Sequence, residues 1–205
     1  MTIREKLQNF WYYYKAHTLV VLAIVVVFVS LAAQCAANDP YDYSVTLYMA
    51  KLMPEPILDT MAQELARFGT DQNGDGKVRV EIIDCSYGDN DNVRLNQIAK
   101  LQARLTQGES ILFLTDETCY RSLDEMELFD TVTCLPDRDG KALQLANSPM
   151  NTAVARVAGN YMPADFFISK RRVAGTAIEG KDDAERFEQA SVELLERLCE
   201  EYTAP

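Results

Sequence analysis

The most specific chemistry in the chain lies in residues 71–78, which read DQNGDGKV. The side chains of Asp71, Asn73 and Asp75 supply oxygen atoms at loop positions 1, 3 and 5, where they can converge on one point. A glycine at position 6 permits a sharp turn, and the backbone carbonyl of Lys77 at position 7 can turn inward. Ca²⁺ takes roughly six to eight such hard oxygen ligands. The spacing therefore predicts a calcium site built on Asp71, Asn73, Asp75 and Lys77.

The second half of this loop departs from the calcium-binding pattern. Position 9 is Arg79, which cannot ligate a cation, and position 12 is Ile82 in place of a bidentate acid. Glu81 comes one residue early, and strand alternation directs it to the face opposite Ile82. A bidentate ligand must come from elsewhere, or water must complete the shell. We therefore expect weak binding, with a Kd on the order of 10⁻⁴–10⁻³ M. The alternative is a metal-free turn that joins a helix to a strand.

A second set of polar side chains follows two predicted strands. Ser86 and Tyr87 come after one apolar strand, and Asp116 and Tyr120 come after the next. Open parallel sheets bind ligands beyond the carboxyl ends of their strands, near the point where the strand order reverses. These four residues are therefore the candidate ligand-binding residues. The alternative is that they are ordinary polar residues of loops.

An alternating order of strands and helices must position both sets of residues. Apolar residues recur with a period of two in some segments and at helical spacing in others. The predicted strands are 43–49, 77–84, 110–115, 131–134 and 165–173, and the predicted helices are 56–68, 90–107, 117–128 and 182–202. Residues 136–163 give an irregular signal. This order predicts a single three-layer α/β domain with a mainly parallel sheet and helices on both faces.

Residues 18–37 form an apolar run, TLVVLAIVVVFVSLAAQCAA, that contains no charged residue. At a rise of about 1.5 Å per residue, about twenty residues cross a hydrocarbon core roughly 30 Å thick. Arg4, Lys6 and Lys15 precede the run, so its amino end is expected in the cytoplasm. The chain is therefore divided into a cytoplasmic amphipathic leader (1–17), a transmembrane anchor (18–37), a linker (38–42) and an extracytoplasmic α/β domain (43–205).

The apolar run has two alternative interpretations. A signal peptide could be cleaved at the small residues Cys35-Ala36-Ala37. Cys35 could also be a lipidated cysteine, because LAAQC looks partly like a bacterial lipobox, although the bulky Gln34 departs from that pattern. The length of the run and the aromatic cluster before it, residues 11–14, favour an uncleaved anchor.

The charge and the histidine content exclude several classes of function. The chain has 20 basic and 31 acidic residues, a formal net charge of −11. Nucleic acid is not expected as a partner, because phosphate binding needs a basic face. The single histidine, His17, lies in the leader, so the domain can build neither a Cys/His zinc site nor a histidine-activated nucleophile. We therefore expect no enzyme, and a hydrolase that uses two carboxylates is the alternative.

Four cysteines follow the apolar run, at Cys85, Cys119, Cys134 and Cys199, and none belongs to a CxxC motif. An extracytoplasmic location permits disulfides, and four cysteines allow three pairings. Buried free cysteines also behave as small hydrophobic residues. The sequence leaves disulfides and free thiols equally open.

The domain resembles one lobe of an ABC-type extracellular solute-binding protein. The resemblance covers residues 43–135 and a returning C-terminal helix, and rests on YSVTLYM, KVRVEIID and SILFLTDETCYRSLDEMELFDTV. Residues 71–78 resemble the front half of an EF-hand or dockerin loop, and galactose-binding proteins of the bacterial periplasm use a similar loop between helix and strand. These resemblances imply a membrane-anchored binding or interaction module with a membrane-protein or small-solute partner. A purely structural accessory domain of a membrane complex is the alternative.

Overall fold

The structure is a computed structural model that describes residues 11, 12, 14, 17, 19–30, 41–108, 110–159, 166–176 and 178–203. The chain divides into two units, Met1–Pro40 and Tyr41–Pro205. In the first unit, residues 19–30 are helical. No helix within the described ranges combines the length and the apolarity needed to cross a bilayer. The predicted anchor lies partly outside those ranges, at residue 18 and residues 31–37, and it stays a prediction.

The second unit is an α/β fold in which strands and helices alternate along most of the chain. Its elements are β1 (Tyr43–Tyr48), α1 (Glu55–Ala66), β2 (Val80–Asp84), α2 (Asp91–Gln107), β3 (Leu112–Asp116), α3 (Glu117–Asp124), β4 (Ala142–Gln144), α4 (Pro149–Ala158), β5 (Phe166–Lys170) and α5 (Asp182–Thr203). Most predicted elements are confirmed with shifted ends. The helix predicted over 117–128 ends at Asp124.

The five strands form one mixed sheet in the order β2-β1-β3-β5-β4. Strand β1 pairs in parallel with β2 and with β3, whereas β5 pairs antiparallel with β3 and with β4. The predicted mainly parallel sheet is therefore wrong in its second half. Helical crossovers impose the parallel direction on β1, β2 and β3. After α3 the chain runs first to the edge strand β4 and then returns through α4 as β5, between β3 and β4.

Helices cover both faces of this sheet. The first apolar cluster joins α1, α4 and α5 to the strand residues that point to one face: Tyr43, Val45, Leu47, Val80, Leu112, Leu114, Phe166 and Ile168. The second cluster joins α2 and α3 to residues that point to the other face: Tyr48, Ile83, Phe113 and Phe167. Because successive side chains of a strand alternate between faces, each central strand contributes to both cores.

The sequence prediction fails most between β3 and β5. Residues 131–134 form no strand, and in that stretch Leu135 donates a backbone hydrogen bond to Val132 (3.0 Å), which closes a turn. The segment predicted to be irregular, 136–163, contains both β4 and α4. Ser148 caps α4 by accepting a hydrogen bond from the backbone N–H of Asn151. Thr and Val residues within α4 weaken its helical signal, so burial of its apolar side stabilises it instead.

Candidate functional site

The predicted calcium loop is exposed and lies between α1 and β2. The carboxylate of Asp71 accepts backbone hydrogen bonds from Gly74 (2.6 Å) and Gly76 (2.7 Å). These hydrogen bonds, with that from Gly76 foremost, lower the pKa of Asp71. Asn73 and Asp75 each accept a hydrogen bond from the backbone N–H two residues further on. The three predicted ligand side chains therefore fold back over the loop backbone.

One carboxylate oxygen of this loop contacts a positively charged side chain of the same protein. The second carboxylate oxygen of Asp75 forms an ion pair with the guanidinium of Arg79 (2.8 Å). A metal ion bound at Asp75 would compete with that guanidinium. A carboxylate offers about four lone-pair sites, so Asp71 keeps the capacity to ligate beyond its two hydrogen bonds. The loop can therefore bind a metal ion only weakly, because the guanidinium of Arg79 competes with the ion for Asp75.

Clusters of metal-ligating side chains are absent from the part of the chain that the structure describes, the loop of residues 71–78 included. No group of three or more His, Cys, Asp or Glu side chains is placed there to hold a metal ion. The calcium pattern depends on amide and backbone oxygens as well as on acids. Calcium binding by residues 71–78 therefore stays a prediction.

Asp42, a residue of the predicted linker, holds the two ends of the loop together. Its side chain is buried, and one carboxylate oxygen accepts hydrogen bonds from the backbone N–H groups of Gln72 (2.8 Å) and Asn73 (3.2 Å). The other oxygen accepts from the N–H of Arg79 (2.8 Å). Asp42 therefore ties both ends of the loop to the start of the sheet. Because 30 residues separate it from Gln72, no local pattern could have revealed this role.

Two of the predicted ligand-binding residues accept hydrogen bonds from backbone N–H groups of neighbouring turns. Asp116, only 8% exposed, caps α3 by accepting from the N–H of Cys119 (2.8 Å) and also accepts from the N–H of Ala50 (2.6 Å). The fully buried Ser86 accepts from the N–H of Met53 (3.2 Å). Both side chains lie at the carboxyl edge, as predicted. Their oxygens stabilise the turns that follow the strands.

The other two predicted residues lie in different surroundings. The hydroxyl of Tyr87 contacts the Cys119 thiol (3.6 Å), and burial raises the pKa of that thiol to about 12. The ring of Tyr120 stacks on Phe129 with centroids 5.0 Å apart, and Tyr120 is 2% exposed. The structure thus brings Tyr87 close to the α3 cap formed by Asp116, but places Tyr120 within the apolar cluster. Ligand binding by these residues stays a prediction.

A cavity of about 410 Å³ opens at the opposite edge of the sheet, where the parallel strands begin. We call it the amino-edge cavity. It is lined by apolar and aromatic side chains, Tyr41, Tyr43, Ile111, Ile178, Ala184 and Phe187. The polar residues Asp42, Ser44, Glu81, Lys181 and Ser191 also line it. These residues come from distant segments of the chain, so no local sequence pattern indicates that they meet.

The glycine at position 108 allows close packing in one wall of this cavity. Gly108 ends α2 in the left-handed region, with φ 75°, where a residue with a side chain is strained. A Cβ added there would lie 2.7 Å from Cγ2 of Ile178. The absence of a side chain at Gly108 therefore lets Ile178 pack against the end of α2.

A buried lysine joins the sheet to the terminal helix. Lys170, the last residue of β5, is 3% exposed, and its ammonium contacts the carboxylates of Asp130 (2.8 Å) and Glu188 (2.6 Å). Burial acts to raise the pKa of Asp130, but the hydrogen bond and the charge of Lys170 outweigh burial and lower it. This cluster holds β5 to α5 and to the turn after α3.

Comparisons with protein-family models, with curated proteins and with solved structures found no match for this chain. The class of protein is therefore inferred from the chemistry and geometry of the chain itself.

Proposed function

We propose that this chain is a membrane-anchored, extracytoplasmic binding module that holds a small, largely apolar solute in the amino-edge cavity. The cavity is the single observation that carries the proposal. Its volume, about 410 Å³, falls in the range of roughly 300–1,000 Å³ typical of small-molecule sites. Mostly apolar walls with a few convergent polar groups are also typical of such sites. A solute with an apolar body and one polar end would match this lining.

The location outside the membrane is inferred from the apolar run at residues 18–37 and from the basic residues before it. The acidic character of the chain agrees with an extracytoplasmic domain that has no nucleic-acid partner. The resemblance to one lobe of a solute-binding protein favours a binding role over catalysis.

Binding in the amino-edge cavity can be tested with an apolar fluorescent probe, 8-anilinonaphthalene-1-sulfonate. Residues 41–205 suit this test because they form a separate unit with its own core on both faces of the sheet. Ala184 lines the cavity and is 7% exposed, so Ala184→Phe places a ring inside it. We expect this variant to weaken probe binding about tenfold, the equivalent of roughly 1.4 kcal/mol.

The matched control is Ala103→Phe, which adds the same ring at an exposed position of α2. It should leave probe binding unchanged, and both variants should keep the circular dichroism spectrum of the parent. Equal probe affinity in the two variants would show that the cavity is not the binding site.

The proposal includes structural Ca²⁺ at the loop of residues 71–78. Asp71, Asn73 and Asp75 would supply side-chain oxygens and Lys77 its carbonyl, and the ion would stiffen the turn between α1 and β2. At about 1 mM Ca²⁺ and a Kd near 0.1 mM, binding adds roughly 1.4 kcal/mol to the free energy of unfolding. We expect the melting midpoint to rise by about 3–6 °C relative to EGTA.

Two variants make the calcium test specific. Asp71→Asn removes a predicted ligand charge and should abolish the rise, whereas Asp59→Asn, at an exposed position of α1, should preserve it. Identical midpoints of the parent protein in EGTA and in millimolar Ca²⁺ would eliminate the calcium component of the proposal. The binding component would then stand on the cavity alone.

A further inference from the structure

Strand β2 forms one edge of the sheet, so one side of its backbone has no neighbouring strand. On the inner side, the carbonyl of Arg79 accepts hydrogen bonds from the start of β1, and the N–H of Cys85 donates to Leu47 of β1. The odd-numbered residues of β2 therefore direct their backbone groups toward β1. Because these directions alternate along a strand, the backbone groups of Val80 and Ile82 point away from the sheet. Within the described residues, these two N–H groups have no hydrogen-bond partner.

One end of this free edge is closed by a lysine. The ammonium of Lys100 donates a hydrogen bond to the outward carbonyl of Asp84 (2.7 Å). Lysine side chains at sheet edges prevent further strands from pairing there. At the other end, residues 77–79 form neither a turn nor a bend, so they can continue the line of the strand. The open edge therefore covers residues 78–82, and Val80 is at its centre.

The residues of this open edge complement a second copy of themselves in the antiparallel direction. A two-fold axis at Val80 sets Val80 opposite itself and Val78 opposite Ile82. The backbone groups of all these residues point outward, so the two copies can form about six hydrogen bonds. The same register sets Arg79 of each copy opposite Glu81 of the other. Opposite charges directly across two strands stabilise the pair, whereas like charges destabilise it.

The side chains along the edge also suit this pairing. Val78 and Ile82 are half-buried and pack against the first apolar cluster, so a second copy would bury them further. The guanidinium of Arg79 forms an ion pair with Asp75, but its five N–H donors allow a second carboxylate to bind. The carboxylate of Glu81 has no ion-pair partner in the part of the chain that the structure describes. Each copy can therefore supply the missing partner of the other.

We propose that two copies of this chain associate through β2 and join their five-stranded sheets into one continuous sheet. The paired segment is short, so the contact belongs to the small interfaces, below about 1,200 Å², that form transient complexes.

The positions of the two chains suit copies that are held in one membrane. Tyr43 is the register partner of Val80, so the starts of β1 in the two copies would be three strand spacings apart, about 14 Å. The linkers of both copies would thus reach the sheet close to the two-fold axis. The pairing goes beyond the proposed binding function and rests on neither the cavity nor the calcium site.

The test measures self-association of the purified full chain in non-ionic detergent, with micelles in excess over protein, by analytical ultracentrifugation. Glu81→Arg and Arg79→Glu each set like charges opposite one another at both contacts. We expect either variant alone to associate about tenfold more weakly than the parent. In an equal mixture, one copy carries two acids and the other two arginines, so both pairs of opposite charges return. The mixture should therefore associate as tightly as the parent.

Two further variants separate strand pairing from other effects. Ile82→Pro removes an outward N–H that makes no hydrogen bond within the described residues, and proline is tolerated at such edge positions. It should abolish association and keep the circular dichroism spectrum of the parent. Glu125→Arg makes the same charge reversal at an exposed residue after α3, a helix that packs against β3 and β5. It should leave association unchanged.

Three results would overturn the proposal. The first is a parent chain that stays monomeric up to about 0.1 mM, a concentration at which even weak specific pairs associate. The second is association of Ile82→Pro that equals that of the parent. The third is a mixture of Glu81→Arg and Arg79→Glu that associates no better than either variant alone.

Discussion

Replacing Asp42 with alanine is expected to lower the free energy of unfolding by about 4 kcal/mol. The Asp42 carboxylate is the acceptor for the backbone N–H groups of Gln72, Asn73 and Arg79, at distances of 2.8, 3.2 and 2.8 Å. Alanine leaves those three donors without their acceptor beside a buried position, and each lost hydrogen bond to a charged group costs roughly 1.5–3 kcal/mol. The melting midpoint of residues 41–205 should fall by about 8–16 °C.

Two further variants show whether the Asp42 carboxylate itself is responsible. Asp42→Asn keeps one acceptor oxygen but replaces the other with an NH₂ group. That group would face either the N–H of Arg79 or those of Gln72 and Asn73 and could accept from none of them. We therefore expect a loss of unfolding free energy between those of the parent and of Asp42→Ala. Asp59→Ala, at an exposed position of α1, should change the free energy of unfolding by less than about 0.5 kcal/mol. A loss below about 1 kcal/mol in Asp42→Ala would show that Asp42 does not hold the loop.

Removal of the buried ammonium of Lys170 is the second change with a large expected effect. Lys170→Ala leaves the carboxylates of Asp130 and Glu188 facing each other without a cation, and we expect a loss of about 3 kcal/mol in the free energy of unfolding. This value lies at the low end for buried pairs, because the two carboxylates are 41% and 31% exposed and water partly screens them.

The charge dependence of this loss separates an electrostatic role from simple packing. Lys170→Met removes the ammonium but keeps most of the buried side-chain volume, and adding Asp130→Asn and Glu188→Gln to it should recover part of the stability that it loses. If the triple variant is as unstable as Lys170→Met alone, the unpaired charges are not the cause of the loss.

The pH dependence of stability follows from the lowered pKa of Asp130. A carboxyl group with a lowered pKa in the folded state stabilises the fold above its unfolded pKa, near 3.9, and this contribution disappears as pH falls through the folded-state pKa. The free energy of unfolding of the parent protein should therefore fall below about pH 4. In Lys170→Ala that fall should be smaller, as measured by denaturant unfolding at a series of pH values.

The local elements of the fold were predictable because their signals lie within short segments. Apolar and polar residue types alternate along residues 43–47 of β1, and α2 has a capping residue at its start and a glycine at its end. The direction of β5 was not predictable. It depends on where α4 and the edge strand β4 pack, and these contacts join segments that are far apart in the sequence.

The candidate sites also differ in whether a short segment of sequence reveals them. The loop at residues 71–78 is a local spacing of oxygen donors, and its turn is formed by hydrogen bonds among its own residues. Asp42 and the amino-edge cavity depend on contacts between distant segments, so no local pattern reveals them. Ser86 and Asp116 were placed correctly at strand ends, but their burial depends on backbone N–H groups of another segment, at Met53 and Ala50.

The membrane topology of the full chain tests the proposed anchor and the proposed location of the domain together. Protease is added to intact protoplasts that express the chain, and a second sample is lysed and separated into membrane and soluble fractions. We predict that the chain sediments with the membranes and that residues 41–205 are digested from outside, while a cytoplasmic marker protein stays intact. Recovery of the chain in the soluble cytoplasmic fraction, or digestion only after lysis, would contradict an extracytoplasmic domain held by residues 18–37.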